Sequence, residues 1–268
     1  MLLRVDHVTR YHYDRPVRSV VQSHRLTPSV FQGQRVIDWE VTVSDGRRGA
    51  EFRDGAGDVI QGWTVAGPVN EIVVTVRGAV ETQDLAGVLK RHRETVSPDC
   101  YLRATGPTRT DKALSELARS VDAADPLALA HALSDCVADA ISYRPGVTHA
   151  HTTAAEALAL GEGVCQDHAH ALIAVARARE MPGRYVSGYL HATEDGTLHE
   201  AAHAWAEVYV AGLGWVGFDP ANRCCPDERY IRLGSGFDAQ DAAPIRGIAR
   251  GGAQEELDVS LAVLAGQQ

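Results

Sequence analysis

The first eighty or so residues alternate between apolar and polar positions with a period of two. Such alternation is typical of half-buried antiparallel strands. In one segment, four apolar residues fall on the same side: Ile37, Trp39, Val41 and Val43. Segments 3–13 and 72–80 are also strand-like, and turn-forming pairs such as Asp45-Gly46 separate the runs. The N-terminal third is therefore predicted to be mostly β.

A polar stretch that starts near residue 84 separates this region from segments with helical spacing. We predict helices at residues 110–121, 126–141 and 154–160, with Thr110 as the cap of the first. Beyond residue 183 the period returns to two, at residues 184–190, 202–210, 215–218 and 257–263. The chain is therefore expected to contain a β-rich domain (1–83), a linker (84–107) and an α+β domain with a C-terminal strand (108–268).

Composition and charge exclude several classes of protein. The 268 residues are 45% hydrophobic, which is enough for one large core or two smaller ones. The formal net charge is −9 and no basic run could follow a phosphate backbone, so nucleic acid is not expected as a partner. Charge at Arg4 and Asp6 comes too early for a signal peptide, and no apolar run is long enough to span a bilayer. These observations predict a soluble cytoplasmic protein with no membrane partner.

The cysteines do not have the spacing of a disulfide framework. They are sparse, odd in number and without a CxxC pair: Cys100, Cys136, Cys165, Cys224 and Cys225. Secreted domains held together by disulfides show dense, even sets instead. Reduced thiols are therefore expected.

The first candidate for chemistry is Cys165, which follows a glycine-bearing turn at residues 161–163. Apolar residues recur four, seven, eight and eleven positions after it: Ala169, Leu172, Ile173 and Ala176. Cys165 is therefore predicted to begin a helix, on the side that packs against the core. A helix N-terminus favours a thiolate, and its free N–H groups stabilise a developing oxyanion. A small buried cysteine with no chemical role would fit this segment equally well.

A later hairpin supplies a histidine and an aspartate. His203 opens one strand, and Asp219 closes its partner after a turn at Gly212-Leu213. A turn centred there places His203 opposite residue 222, three residues from Asp219, with both side chains on one face. The carboxylate can then orient the imidazole by its far nitrogen, as a Cys-His-Asp triad requires. Singly, His203 fits an ordinary strand-edge histidine and Asp219 a turn-forming Asp-Pro pair, but the coincidence of all three features favours a triad.

Three motifs resemble the bacterial transglutaminase-like proteins, a family that includes proposed cysteine proteases. They are Gly163-Val-Cys-Gln-Asp167, His203-Ala-Trp-Ala-Glu-Val208 and Gly214-Trp-Val-Gly-Phe-Asp-Pro-Ala-Asn222. Residues 7–17, 25–28 and 33–34 resemble the family's β-rich N-terminal domain, and the resemblance continues to the final strand. It implies a papain-like α+β core, in which the helix bearing Cys165 packs on an antiparallel sheet, preceded by that β-rich domain.

Two positions depart from the family's pattern. The family usually has an aromatic residue where this chain has His168, and more often Asn where it has Asp58. His168 is expected to face solvent or the cleft, and a second acid or base near the thiol is the alternative. Cys224 and Cys225 follow the hairpin, where the family requires no thiols, and are either oxidation-sensitive or simply small side chains.

The candidate triad predicts a cysteine-dependent amide hydrolase or acyltransferase that acts on a peptide or protein through a thioester and needs no cofactor. His203 would deprotonate Cys165 and later protonate the leaving amine, while Asp219 fixes the imidazole tautomer. The N–H of Cys165 is one expected oxyanion donor, and Tyr143 is a candidate for the second.

Several features of the reaction stay open at this point. Water and an amine are both acceptable as the final acyl acceptor, so peptidase, isopeptidase and transglutaminase-type reactions all fit, and the resemblance leans towards the first two. Loops such as residues 191–202 are expected to select the substrate. Trp205 and Trp215 are expected to shield the site, although packing between sheets explains them equally well. The oligomeric state has no signal in the sequence.

Two other classes of function compete with this hypothesis. A metal site would draw on Cys165, His149, His151, His168, His170 or the Cys224-Cys225 pair. Helical ligands favour separations of three or four, whereas His168 and His170 are two apart, so no metal is expected. A non-catalytic binding or scaffold protein of the same fold is the other alternative, and the complete triad disfavours it.

Overall fold

A computed structural model of the chain describes residues 1–191 and 202–266. The strands are β1 (Leu2–His24), β2 (Gln34–Val43), β3 (Gly46–Arg53), β4 (Val59–Thr82), β5 (Ser142–Tyr143), β6 (Glu162–Gly163), β7 (Gly183–Leu190), β8 (Ala202–Val210), β9 (Gly214–Phe218), β10 (Tyr230–Gly236), β11 (Ile245–Arg250) and β12 (Glu255–Ala265). The helices are α1 (Lys112–Arg119), α2 (Pro126–Ala140), α3 (Ala154–Leu160) and α4 (Cys165–Ala178), with a short 3-10 helix at Pro98–Leu102. In this part of the chain, no helix has the length and apolar character to cross a bilayer. The predicted substrate-selecting loop, 191–202, lies outside the described residues apart from its two ends.

The N-terminal residues form a six-stranded antiparallel sheet around β1. One edge of β1 pairs with β4, and the other pairs with β12 along its first half and with β11 along its second. β2 and β3 pair with the far edge of β4. Alternate residues of β1 are buried from Leu3 to Tyr13, as the period of two predicts. The expected β-rich N-terminal region is therefore present.

The C-terminal strand joins this first sheet and not the α+β domain at 108–268, where the sequence placed it. β12 pairs with β1 from Leu3 opposite Ala265 to Tyr13 opposite Glu255, and Val263 is buried in the same core. Alternation of apolar and polar residues specifies which face of a strand is buried. It does not specify which sheet edge still has unpaired backbone groups to receive the strand.

The second sheet carries the α+β core. It is antiparallel with the order β10-β7-β8-β9, and α4 packs across one face. Leu172 and Ile173 of α4 share a core with Ala206 and Val208 of β8. The helix that begins at Cys165 therefore packs on an antiparallel sheet, which confirms the predicted fold class.

The first helix starts one residue later than predicted. Asp111 is its cap, because the Asp111 carboxylate accepts a hydrogen bond from the N–H of Leu114 at 2.8 Å. The Thr110 hydroxyl instead donates to the carbonyl of Ala174 in α4 at 3.1 Å. Both residues are good caps by type, so only the tertiary contact to α4 decides between them.

A buried ion network joins the second sheet to the N-terminal domain and the linker. Glu207 of β8 accepts from Arg184 Nε at 2.6 Å and from Arg232 Nε at 2.8 Å. Arg232 also donates to Asp58 at 2.8 Å, and Arg184 to Glu94 at 2.6 Å. Burial alone would raise the pKa of Glu207, but the two guanidinium groups lower it to about 2. The three central side chains are thus held charged inside the protein.

Asp58 explains one departure from the family's pattern. Its side chain is fully buried and accepts hydrogen bonds from the N–H and hydroxyl of Ser235 at 2.6 and 2.9 Å, in addition to the bond from Arg232. Burial raises the pKa of this carboxyl, but Arg232 and its other partners lower it below the ordinary value. An Asn at this position would accept through one oxygen only, so it would lose part of these hydrogen bonds and would not neutralise Arg232.

We predict that Glu207→Gln destabilises the protein by about 3–5 kcal/mol, because it leaves two buried guanidinium groups without their shared carboxylate. Glu81→Gln is the matched control, since Glu81 pairs with Arg35 where both side chains are more than half exposed. That change should cost less than about 1 kcal/mol. Urea unfolding followed by tryptophan fluorescence measures both values. Equal effects of the two changes would contradict a stabilising role for the network.

Candidate active site

The turn before α4 sets the position of Cys165. Gly161 ends α3 in the left-handed conformation with φ 71°, and β6 then leads to Val164, the extended residue before the helix. Cys165 is the first residue of α4, as predicted, and is partly exposed. The N–H groups of a first helical turn have no acceptor within the helix, so they are available to a reacting oxygen beside the thiol.

Asp167 fastens this turn from inside the helix. Its Oδ2 accepts from the N–H of Val164 at 2.8 Å and from the hydroxyl of Thr148 at 2.6 Å. A Cβ at Gly163 would lie 2.8 Å from the same oxygen, so a larger residue there would push the carboxylate away. A glycine is therefore required at position 163, because the Asp167 side chain lies so close to its backbone. The sequence alone did not reveal this contact.

His203 and Asp219 lie in direct contact on one face of the second sheet. The distance from His203 Nε2 to Asp219 Oδ2 is 2.6 Å, and both side chains are almost fully buried. Because Nε2 is engaged, Nδ1 is the nitrogen left to interact with the Cys165 side chain, which contributes to the raised pKa of His203. The structure thus brings together the three residues that the sequence predicted.

The hairpin register differs by one residue from the prediction. Ala206 pairs with Phe218 and Val210 with Gly214, so the turn is centred on Gly212. Continued along the strands, this register places His203 opposite residue 221, two residues from Asp219 and not three. Residues two apart share a face, so the shift brings the carboxylate diagonally next to the imidazole.

Two residues that the sequence did not assign to the site fix the aspartate. Asp219 Oδ2 accepts from the Tyr230 hydroxyl at 2.8 Å and from the Asn222 side chain at 2.7 Å, and Oδ1 accepts from the Asn222 N–H at 3.2 Å. Asn222 lies in the hairpin motif, but Tyr230 begins β10, a strand that the pattern did not predict. No local signal links Tyr230 to Asp219, because their contact depends on how β10 and β9 are placed in the sheet.

The electrostatics of the pair favour a charged imidazole. Burial would lower the pKa of His203, but hydrogen bonds and charge interactions with Asp219 and Cys165 raise it to about 10. Burial would likewise raise the pKa of Asp219, but its hydrogen bond to His203 and those from Asn222 and Tyr230 lower it. The arrangement therefore stabilises an imidazolium next to a carboxylate and a thiol.

The two tryptophans have different surroundings. The Trp205 ring stacks on His203, with centroids 6.4 Å apart, and meets Tyr230 edge-on at 5.4 Å. Trp215 instead donates to Glu94 at 2.6 Å and lies under the Arg184 guanidinium at 4.0 Å. Trp205 thus covers the imidazole as expected, while Trp215 serves packing at the ion network.

Tyr143 lies beside the nucleophile turn. Its strand β5 pairs in parallel with β6, so Tyr143 is opposite Gly163, two residues before Cys165. His168 is on the far side of the same turn, with its ring 6.4 Å from that of Tyr143. The position of Tyr143 suits the second oxyanion donor that the sequence suggested.

His168 is buried, so the expectation of a solvent- or cleft-facing side chain is wrong. Its Nδ1 lies 2.9 Å from the carbonyl of Val164 and its Nε2 lies 2.8 Å from the carbonyl of Ile141. Both nitrogens are therefore occupied by backbone oxygens. His168 ties the nucleophile turn to the segment that leads to Tyr143.

The remaining cysteines and histidines do not converge on a metal. Across residues 1–191 and 202–266, no group of three or more His, Cys, Asp or Glu side chains is arranged to hold an ion. His170 accepts from the N–H of Ala239 at 3.0 Å, and Cys224 lies 3.3 Å from the Tyr230 hydroxyl. Burial raises the pKa of Cys224 and of Cys225, the latter to about 11. These thiols therefore do not share the environment of Cys165.

Family models match both parts of the chain. The model described as the transglutaminase-like superfamily matches residues 115–220, and that described as the bacterial transglutaminase-like N-terminal region matches residues 3–81. The first range contains all three residues of the candidate triad.

Relatives and a solved structure agree with this match over the full length. An uncharacterized protein of Mycobacterium leprae, ML0607, is 32% identical over 96% of both chains. An uncharacterized protein of Mycobacterium tuberculosis, Rv2569c, is 30% identical over 97% of this chain and 92% of its own. The crystal structure of a proposed cysteine protease from Cytophaga hutchinsonii covers 100% of this chain and 92% of its own, with a TM-score of 0.75 and 21% identity. That likeness supports the fold.

We predict that His203 makes protein stability depend on pH in the alkaline range. Its pKa is raised from 6.5 to about 10 in the folded protein, so the stabilisation is fully present below pH 6.5 and is lost as pH rises through about 10. The free energy of unfolding of wild type should therefore fall between these values more than that of His203→Gln. Urea unfolding at a series of pH values tests this. Parallel curves for the two proteins would show that the imidazolium is not stabilised by folding.

Proposed function

This chain belongs to the transglutaminase-like superfamily, and we propose that it is a cysteine-dependent amide hydrolase or acyltransferase with Cys165 as nucleophile. Its substrates are peptide or protein amides, and no cofactor is needed. The observation that carries the proposal is the 2.6 Å contact of His203 Nε2 with Asp219 Oδ2, together with the position of Cys165 at the start of α4. The raised pKa of His203, to which Asp219 and Cys165 both contribute, agrees with it. A scaffold protein of the same fold would have no need to hold a buried imidazolium against a thiol.

In the proposed resting site the Cys165 proton has already passed to Nδ1 of His203, which leaves a thiolate next to the imidazolium. The thiolate attacks the amide carbonyl, and the N–H groups of the first turn of α4 stabilise the oxyanion. Tyr143, from β5, supplies the second donor. Collapse of the tetrahedral intermediate gives a thioester, and His203 protonates the departing amine.

The second half of the reaction regenerates the thiol. Water or an acceptor amine loses its proton to His203 and attacks the thioester, and a second oxyanion forms at the same N–H groups. Asp219 stays ionised throughout, because its hydrogen bonds from His203, Asn222 and Tyr230 stabilise the charged form. It holds the tautomer and orientation of the imidazole without taking its proton.

We also propose a cytoplasmic location for the protein, which rests on the sparse cysteines.

We predict that iodoacetamide alkylates Cys165 rapidly well below the ordinary thiol pKa of about 8.5, and that His203→Ala abolishes this reactivity. The reason is that the imidazolium stabilises the thiolate. Peptide mass spectrometry over a pH series measures the rate at each cysteine. Cys100, which is exposed, is the internal control and should react alike in both proteins. Slow alkylation of Cys165, or equal rates in wild type and His203→Ala, would show that no reactive pair exists and would favour the scaffold.

We predict that hydrolysis exceeds transfer when a peptide mixture is incubated with the protein and a tagged primary amine. Cys165 is partly exposed, so water reaches the thioester without displacement of a lid in the described structure. Mass spectrometry should show cleaved or hydrolysed peptides in wild type and none with Cys165→Ala. Incorporation of the tagged amine as the main product would reverse this assignment and make the protein a transferase.

A further inference from the structure

A basic concavity lies where the linker packs on the N-terminal domain, on a surface to which the triad contributes no residue. Arg53, Arg91, His92 and Arg93 line it, with Val30 and Phe31 among the apolar residues of its wall. In the described chain, none of the three guanidinium groups has a carboxylate within 4.0 Å, and no acidic residue lines the concavity. Three unpaired cations around one hollow, in a chain of net charge −9, are complementary to an anion.

The walls of this basic concavity are held by backbone contacts. Arg53 donates to the carbonyl of Gly57 at 2.9 Å, and the N–H of Gln32 donates to the carbonyl of Lys90 at 2.9 Å. Gly57 has φ 84°, and a Cβ there would lie 2.1 Å from the carbonyl oxygen of Arg93. The linker is therefore packed tightly against the domain, and the arginines are presented from a fixed backbone.

His92 is fixed in the wall of the concavity by a hydrogen bond. Its Nε2 lies 2.7 Å from the carbonyl of Ala56, so Nε2 must carry the hydrogen and Nδ1 has a lone pair. Nδ1 is buried and has no hydrogen-bond partner in the described part of the chain. Burial and the nearby Arg232 lower the pKa of His92, which keeps the imidazole neutral.

We propose that the basic concavity binds acidic peptides. Guanidinium groups bind carboxylates in a bidentate manner, and Val30 and Phe31 in the wall of the concavity offer contacts to apolar side chains next to those carboxylates. Nucleic acid fits less well, because it offers no apolar side chains to Val30 and Phe31.

The basic concavity is also close to the candidate triad. Phe31 lines both the concavity and a small pocket that Trp205 and Tyr230 also line. These two side chains contact His203 and Asp219. An acidic peptide bound in the concavity would therefore lie near the candidate triad. Its binding energy would assist the reaction of an amide in the same peptide. This step rests on the proposed function, whereas binding itself does not.

The test is equilibrium binding by fluorescence anisotropy to the Cys165→Ala protein, which cannot turn the probe over. The probe is a fluorescein-labelled peptide of alternating Glu and Leu, and its counterpart has Gln in place of Glu. Arg91→Gln combined with Arg93→Gln should weaken binding of the acidic probe at least about tenfold, since charge-assisted bonds are lost. Arg10→Gln combined with Arg18→Gln is the matched control. Both of these side chains are exposed on the N-terminal domain, and the double change lowers the positive charge by the same amount as Arg91→Gln with Arg93→Gln. That control should change binding less than about twofold.

Three results would overturn the proposal: no binding of the acidic probe, an equal loss in the control protein, or tighter binding of a single-stranded DNA of the same charge. Circular dichroism and urea unfolding of each variant verify that the fold is intact. The outcome is independent of the alkylation experiment. If the acidic probe binds but Cys165 is unreactive, the docking site is supported and the proposed enzyme activity is not. If Cys165 is reactive but the probe does not bind, the enzyme activity is supported and the docking site is not.

Discussion

Glu207 imposes the constraint on which the rest of the structure depends, because a carboxylate buried on one face of β8 must be neutralised by side chains from other strands of the same sheet. Arg184 of β7 and Arg232 of β10 supply this neutralisation. Two guanidinium groups carry more charge than one carboxylate can neutralise, so each arginine also pairs with a second carboxylate. Those carboxylates, Glu94 and Asp58, come from the linker and the N-terminal domain. The catalytic sheet can therefore bury this face only when the N-terminal domain covers it.

This constraint reaches the candidate triad through β8 itself. His203 and Glu207 are four residues apart on the same strand, so a network that fixes Glu207 also fixes the backbone that presents the imidazole. Ala206 and Val208, on the opposite face, pack in the core that holds α4 and Cys165. β8 is thus fixed on one face by charge and on the other by apolar packing, and the hydrogen bond between histidine and cysteine is formed between two fixed elements.

Local pattern and motif were sufficient to predict the candidate triad but not its supports. Cys165 could be placed at a helix start because the apolar spacing after it is local, and His203 and Asp219 belong to one hairpin whose register was predicted to within one residue. Tyr230 could not be found, because it reaches Asp219 only through the arrangement of four strands. β12 was assigned to the wrong sheet for the same reason: a strand's own residues do not show which distant edge is open. His168 was misjudged because a polar residue in an apolar helix gives no sign of the backbone carbonyls that meet it.

The bonds around Asp219 also decide which protons can move. Its Oδ2 accepts from three donors, and Oδ1 accepts from the Asn222 N–H, so protonation would require the loss of one of these bonds. Nε2 of His203 is fixed by that carboxylate, and Trp205 covers one face of the ring. Nδ1 is then the atom of the pair that can exchange a proton, and Cys165 is the group next to it. A site built in this way separates the residue that orients the imidazole from the residue that reacts with it. In the proposed reaction, both the attack on the amide and the release of the acyl group would therefore depend on this one proton position.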